Sequence, residues 1–256
     1  MFVYIRENLQ HKGFYLPKPT NFITMEENLH HQIIKIIKEK SSVKQDIFLA
    51  TKEAFNLLKN TVKAEVVLLT NEVTLIDKRV TIEFKDRGEF MFEIKVAGDL
   101  LIFRMHTNIF EFDNSHYIKK SPYVQKDEMR SFCGLISVYN FLADSFKYYR
   151  LNDVGYLMGR LFVNKESHYF VEGKSRKISI GHNDFGNEIF SSEKALNLLE
   201  TIILASLEFD LYTPPFETQK EITVSEINES NNNISLQTGK RLGFKFQFED
   251  DKGIKS

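Results

Sequence analysis

The strongest constraint on the fold is an alternation of apolar and polar side chains, with a period of two, over residues 80–105. A three-residue loop at Asp86–Gly88 would place Ile82 opposite Phe92. A turn at Ala97–Gly98 then brings a third strand onto the same apolar face. A slip of one residue would turn every apolar side chain to the wrong side, so this pattern predicts an antiparallel β-meander.

Helical periodicity marks regions on both sides of this meander. Capping boxes start at Thr24 and Ser42, and a break at Lys40–Ser42 predicts a helical hairpin. Between Gly134 and Arg150 the polar and apolar residues fall on opposite stripes, which predicts a helix. A further helix, rich in Leu and Ile, is expected from Ser192 to Leu207.

A β-hairpin is predicted from Tyr156 to Val171. With a three-residue loop at 165–167, residues whose numbers sum to 332 lie opposite each other, so Arg160 pairs with Glu172. One side of this hairpin is apolar and is expected to face the core. Its residues are Leu157, Leu161, Val163, Tyr169 and Val171.

The other side of the hairpin mixes aromatic rings with charged groups, and Phe162 pairs there with Phe170. Rings beside Arg and Lys are common at protein interfaces and on nucleic-acid platforms, so this face is the predicted binding surface. The alternative is a solvated face with an ordinary ion pair, or a face covered by an apolar helix. The binding residues proposed on this face and in the loop that follows are Tyr156, Arg160, Phe162, Phe170, Lys174, Arg176 and His182.

Together these elements predict an α+β fold. It comprises an N-terminal helical hairpin, an antiparallel β-meander, a helix–β-hairpin–helix section and a C-terminal strand. In that strand Leu242, Phe244, Phe246 and Phe248 alternate with polar residues, and residues 114–130 are expected to form a polar connector. The predicted divisions are the N-terminal segment with its hairpin, the α+β body, a polar linker and the C-terminal strand with its tail, at 1–64, 65–227, 228–239 and 240–256.

Composition limits the class of protein. The 256 residues include 23 Phe and 10 Tyr, which suffice for a large core and exclude a chain disordered throughout. The formal net charge of −1 argues against nucleic-acid binding through the overall field, but not against a local basic patch. Cys133 is the only cysteine, so an intrachain disulfide is excluded. Because the sequence has neither an apolar leader nor a membrane-length apolar run, we expect a cytoplasmic protein with no membrane contact.

Common catalytic motifs are absent from the sequence: it has no glycine-rich phosphate loop, no G-x-S-x-G and no H-E-x-x-H. The enzyme hypothesis that remains is a nuclease in which Asp153 and Glu172 share Mg²⁺ while Lys174 polarises a phosphate. The hairpin register opposes this arrangement. Asp153 lies about 23 Å along the strand from the position opposite Glu172, at roughly 3.3 Å per residue.

The leading hypothesis is therefore a non-catalytic intracellular binding or assembly protein. Its mixed aromatic and charged face would contact a protein partner or a second copy of the chain, without a cofactor or metal. Two alternatives stay open. One is the metal-dependent nuclease with Mg²⁺, and the other is nucleic-acid binding without cleavage through Arg160, Lys174, Arg176 and Lys177.

Overall fold

The computed structural model describes residues 22–209, 213, 215–218 and 220–225, with side chains from residue 28 onward except that of Thr218. The chain divides into two units, Met1–Ser42 and Val43–Ser256. The linker and the C-terminal strand predicted at residues 228–248 lie outside the described residues.

The described part of the first unit is helical. Helix α1 (Phe22–Ile36) is followed by a π-helical segment, Ile37–Ser41. The backbone of Ser42 keeps right-handed helical dihedrals (φ −63°, ψ −44°), so the predicted break at Lys40–Ser42 is wrong. The Ser42 backbone N–H and hydroxyl both donate to the carbonyl of Ile37, so this serine serves the π-helical turn instead of capping a new helix.

The second unit confirms the predicted α+β class, because its described residues form a seven-stranded antiparallel sheet and several helices. The strands are β1 (Ile82–Asp86), β2 (Met91–Val96), β3 (Asp99–Met105), β4 (Phe110–Glu111), β5 (Phe132–Leu142), β6 (Tyr156–Val163) and β7 (Tyr169–Gly173). The sheet has the order β1-β2-β3-β5-β6-β7, and β4 pairs with β5 outside that path. The α-helices are α2 (Ser42–Ile76), α3 (Pro122–Gln125), α4 (Ala143–Lys147), α5 (Arg176–Ser179) and α6 (Ser192–Leu207). Short 3₁₀ helices lie at Tyr117–Lys120, Glu128–Ser131 and Phe216–Thr218.

The main core joins one face of the sheet to α2 and α6. Phe92 and Phe103 stack with their ring centroids 4.6 Å apart, and Phe55 of α2 packs on Phe92 at 5.3 Å. Leu198 and Ile202 of α6 belong to the same buried cluster. The helix predicted from Ser192 to Leu207 is confirmed, but its cap is Ser191 and not Ser192: the Ser191 hydroxyl accepts from the backbone N–H of Lys194.

The meander forms, but one of its two registers differs from the prediction. The turn at Ala97–Gly98 places Phe92 opposite Phe103 as predicted, with Ala97 in the left-handed region at φ 52°. Ile82, however, lies opposite Val96 and not opposite Phe92. The loop after β1 is longer than three residues, and a shift by an even number of residues leaves each side chain on its predicted face. The apolar pattern therefore does not distinguish these two registers.

The helix predicted between Gly134 and Arg150 is wrong, because this segment supplies the central strand β5 and then the short helix α4. β5 lies between β3 and β6, and both of its faces are covered. Its polar residues are therefore buried, and the side-chain amide of Asn140 donates to Asp99 Oδ1 at 2.8 Å. The polar stripe that suggested one solvated helix face is therefore divided: Ser137 and Asn140 are buried in the sheet, whereas Asp144 and Lys147 are exposed on α4.

The β6–β7 hairpin has the predicted register over most of its length, with Arg160 opposite Glu172. A bulge changes its first residues. Gly159 pairs with Val138 while Leu157 pairs with Tyr139, so Met158 is an extra residue on β6. Met158 consequently enters the main core and Leu157 is exposed, the reverse of the prediction.

Candidate functional site

The centre of the predicted binding face is covered by another part of the chain. Phe162 and Phe170 are buried and stack with their ring centroids 4.8 Å apart. Phe112 packs on them at 5.0 and 5.4 Å, and the buried cluster continues to neighbouring apolar residues of the connector and of the loop after α5. The two rings thus form a second core, on the side of the sheet opposite the main core, and a partner cannot reach them in this conformation.

The cover comes from the segment predicted to be a polar connector. A nitrogen of the His116 ring accepts from the backbone N–H of Ile118, and the Ser121 hydroxyl accepts from the backbone N–H of Val124. These two caps start short helical turns that direct Ile118 and Val124 into the second core, where both are buried. Two isolated apolar residues in a polar stretch were too weak a signal for sequence reasoning to find.

A closed polar network ties the connector to the tip of the β6–β7 hairpin. The Tyr123 hydroxyl donates to Glu166 Oε2 at 2.7 Å and accepts from the side-chain amide of Asn164 at 2.9 Å. Arg130 Nε lies 3.0 Å from Glu166 Oε1, and its guanidinium stacks over the Tyr123 ring. Burial raises the pKa of Tyr123, so the phenol stays protonated and can donate. This network, which sequence reasoning missed, holds the cover in place.

The rim of the predicted face is an ion pair above buried rings. Arg160 pairs with Glu172, and the His116 Nε2 atom lies 3.6 Å from Glu172 Oε1. The Arg160 guanidinium also lies 5.3 Å from the centroid of the Phe162 ring. Arg160 and Glu172 thus pair with each other within the chain. This part of the face therefore corresponds to the alternative of an ordinary ion pair on a covered sheet.

The remaining predicted residues occupy three different environments. Lys174 Nζ lies 4.9 Å from the ring centroid of Tyr156 and 5.4 Å from that of Phe209, and burial lowers the pKa of this lysine. Arg176 is the exposed first residue of α5. His182 is buried, and the structure does not place it on the predicted face.

His182 lies beside the main core, between β7 and α6. Its Nδ1 atom is 3.0 Å from the Tyr169 hydroxyl, and its Nε2 atom is 3.1 Å from Asn197 Oδ1. Since the amide oxygen can only accept, Nε2 carries a proton and Nδ1 accepts from the tyrosine. Burial is the main cause that lowers the pKa of His182, so the ring is neutral in the folded protein.

The residues of the nuclease hypothesis are held by different partners. Asp153 Oδ2 accepts from the Ser145 hydroxyl at 2.7 Å and lies 3.1 Å from Arg150 Nε, beside the end of β5. Glu172, in contrast, pairs with Arg160 farther along the hairpin. The loop that contains Asp153 folds onto α4 and not toward Glu172. Within the described part of the chain, no three His, Cys, Asp or Glu side chains are grouped as metal ligands.

An exposed apolar surface lies on the end of α4 and on the loop that leads from it to β6, where sequence reasoning had placed a helix as far as Arg150. We call residues 146–154 the apolar loop. In this loop Tyr149 and Leu151 are 84% and 89% exposed, and Phe146 and Val154 are also exposed. Large apolar groups clustered on a surface in this way are typical of interaction sites.

The apolar loop has a defined conformation. The backbone N–H of Arg150 donates to the Ser145 carbonyl at 2.8 Å, and that of Asp153 donates to the Arg150 carbonyl at 3.0 Å. The Arg150–Asp153 ion pair sits beneath the loop, with its side chains only 7% and 6% exposed. Tyr149 adopts a positive φ of 51°, which is uncommon for an aromatic residue. The buried Arg150–Asp153 ion pair therefore fixes a loop conformation in which Tyr149 and Leu151 are exposed.

Comparison of the chain with protein-family models, curated proteins and solved structures found no match, so the site is interpreted from its own geometry. None of the described helices combines the length and the hydropathy that crossing a bilayer requires.

Proposed function

We propose that this protein is a non-catalytic binding protein that contacts a protein partner through the apolar loop. One observation carries the proposal. Tyr149 and Leu151 are almost fully exposed on a loop that a buried ion pair holds in place. Burying a side chain of this size against a partner contributes roughly 1.5–3 kcal/mol, so these two residues suffice as the centre of a contact.

The shape of the loop favours a protein partner over a small ligand. Small molecules bind in concave pockets that enclose most of their surface, whereas Tyr149 and Leu151 project outward. Projecting aromatic and aliphatic side chains fit an apolar pocket on another protein. The loop is already ordered by its own hydrogen bonds, so binding loses little conformational entropy.

The surroundings of the loop match the composition of an interface rim. Asp144 and Lys147 are exposed beside the apolar side chains, so polar groups border the apolar centre. Along the chain, the loop leads directly into Tyr156, which contacts Lys174. The proposed contact therefore extends to one end of the face predicted from the sequence, while the buried phenylalanines of that face support the fold.

The basic residues of the nucleic-acid hypothesis gain no comparable support. Arg160 pairs with Glu172, and Lys177 pairs with Glu208 at 2.8 Å. Neighbouring carboxylates cancel much of the positive potential that attracts phosphate. For this reason we favour the protein partner.

Photo-crosslinking in the native cell tests the proposal. A photoreactive phenylalanine analogue replaces Tyr149 in one full-length variant and Tyr117 in the matched control, since Tyr117 is also an exposed tyrosine. We expect one protein adduct at position 149 and none at position 117. The adduct at position 149 should disappear when Leu151 is also changed to Ser, while the free energy of unfolding changes by less than about 0.5 kcal/mol. Equal adducts at both positions, or none at position 149, would contradict the proposal.

A further inference from the structure

One edge of the sheet is open in the described structure. β7 lies at the other edge, and its backbone N–H groups at Tyr169 and Val171 donate to the carbonyls of Glu188 and His182, so that edge is closed. Beyond β1, the described residues supply no further strand. At this edge the Thr70 hydroxyl of α2 donates to the Ile82 carbonyl at 3.0 Å.

The hydrogen-bond pattern shows which backbone groups of β1 point outward. The Ala97 N–H donates to the Thr81 carbonyl, and the Arg87 N–H donates to the Met91 carbonyl. In an antiparallel ladder these hydrogen-bonded positions alternate with positions that face away from the partner strand. Ile82, Phe84 and Asp86 therefore direct their amide and carbonyl groups toward this edge, where another strand can bind them; the Ile82 carbonyl already accepts from Thr70 and keeps one lone pair for a second donor.

We propose that a second copy of this chain pairs with β1 through its own β1, about a twofold axis at Phe84. In this register Phe84 lies opposite Phe84 of the second copy, and both present outward backbone groups. Glu83 of each copy then lies opposite Lys85 of the other, on the face away from the main core. The central three residues of β1, Glu-Phe-Lys, are thus complementary to themselves when reversed, while Ile82 of each copy lies opposite Asp86 of the other.

Electrostatics selects this register among the alternatives. A shift of two positions in one direction places Glu83 opposite Glu83 of the second copy, and a shift in the other direction places Lys85 opposite Lys85. Like charges directly opposite each other on neighbouring strands are destabilising. An odd shift would pair side chains of the apolar face with side chains of the polar face. The charge pattern therefore favours a second copy of β1 over a strand of arbitrary sequence.

The end of α2 supplies apolar area at the same edge. The bond from Thr70 to Ile82 brings α2 over β1, and the helix continues for six more residues to Ile76. The side chains of Leu75 and Ile76 are 88% and 85% exposed there. A pair of short strands buries little surface by itself, so these side chains add to the area that a stable dimer needs. This dimer uses residues that are separate from those of the apolar loop, and neither proposal depends on the other.

Charge reversal in the full-length protein tests the dimer. We expect the wild type to sediment as a dimer, and Glu83→Lys and Lys85→Glu each to weaken dimerisation by about ten- to a hundredfold, because two charge pairs per dimer become repulsive. An equimolar mixture of the two variants should form a mixed dimer, since Glu83→Lys and Lys85→Glu chains are complementary to each other. Lys126→Glu is the matched control, because it reverses an exposed lysine of the connector, away from β1 and the end of α2, and should leave the dimer intact.

Thermal unfolding and hydrogen exchange complete the test. Glu83 and Lys85 also face Lys95 and Glu93 on β2, so the midpoint of unfolding is measured for every variant to confirm that it folds. In the wild type, the Phe84 amide should exchange more slowly above the dimerisation concentration than below it. A monomeric wild type, or a dimer that both single variants keep, would overturn the proposal. A monomer whose Phe84 amide is protected would show that another segment of the chain covers this edge.

Discussion

Several of the described polar side chains are buried, and neighbouring groups account for two of them, Asn164 and His182. Asn164 receives the backbone N–H groups of Glu166 and His168 and donates to Tyr123, so it shapes the tip of the hairpin. His182 lies between a phenol and an amide and is satisfied only as a neutral ring. Such residues help to specify the fold, because a packing that left these buried groups unpaired would be destabilised.

The neutrality of His182 predicts that stability decreases in acid. An unfolded histidine binds a proton near pH 6.5, whereas burial lowers the pKa of His182 in the folded state. Below about pH 6.5 the unfolded chain therefore binds a proton that the folded chain does not, and the free energy of unfolding falls. Urea unfolding at about pH 7.5 and about pH 5.5 measures this loss.

The chain has seven histidines, so the contribution of His182 needs a comparison of variants. His182→Gln should be less stable than the wild type at about pH 7.5 and should lose less stability on acidification. His30→Gln, at an exposed position, should keep the pH dependence of the wild type. If His182→Gln and the wild type lose stability in parallel, the neutral ring assigned here is wrong.

At the scale of strands and helices, α2 approaches β5 closely at Gly134. A Cβ atom added at Gly134 would lie 2.1 Å from Thr51 Oγ1. Thr51 cannot turn away easily, because its hydroxyl donates to the Ile47 carbonyl at 2.7 Å and its branched side chain has few rotamers. Gly134 is thus required where the helix crosses the central strand.

Gly134→Ala should therefore destabilise the protein by about 1–3 kcal/mol, since the helix and the strand must move apart. Gly98→Ala is the matched control, because no heavy atom lies within 4 Å of a Cβ built there. Chemical denaturation of both variants measures the difference. Equal stabilities for Gly134→Ala and Gly98→Ala would show that α2 does not pack on β5 at this distance.

In the second unit as a whole, the central strands and the β6–β7 hairpin are buried on both faces of the sheet. The main core includes α2 and α6, and the second core includes the connector and the stacked pair Phe162 and Phe170. Because adjacent residues on the same strands point into opposite cores, we expect both cores to unfold together as one cooperative transition.

Phe170→Ala should destabilise the protein by about 3–5 kcal/mol, as expected for a fully buried phenylalanine. Tyr117→Ala, which removes an exposed ring next to Phe170, should have a small effect. Circular dichroism and fluorescence should report a single transition with the same midpoint. Loss of the second core in a separate, earlier transition would show that the connector is an independent cover.

Alternation along β6 and β7 was sufficient to predict that Arg160 lies opposite Glu172, because a short loop joins two strands whose apolar faces must agree. The same reasoning failed at Ile82, since registers that differ by an even number of residues have identical faces. In β5, polar residues such as Asn140 imitated a solvated helix face although they are buried. The apolar loop was missed because that incorrect helix included most of its residues.

The order of apolar and polar residues along the chain was thus enough for the α+β class, the meander and the β6–β7 pairing. These features depend on neighbours that are close in sequence, and local periodicity records such neighbours directly. Only the tertiary structure decided that the connector covers Phe162 and Phe170, that β5 is central, and that Tyr149 and Leu151 stay exposed. Whether a side chain is buried depends on segments that are distant in sequence, and no local pattern contains that information.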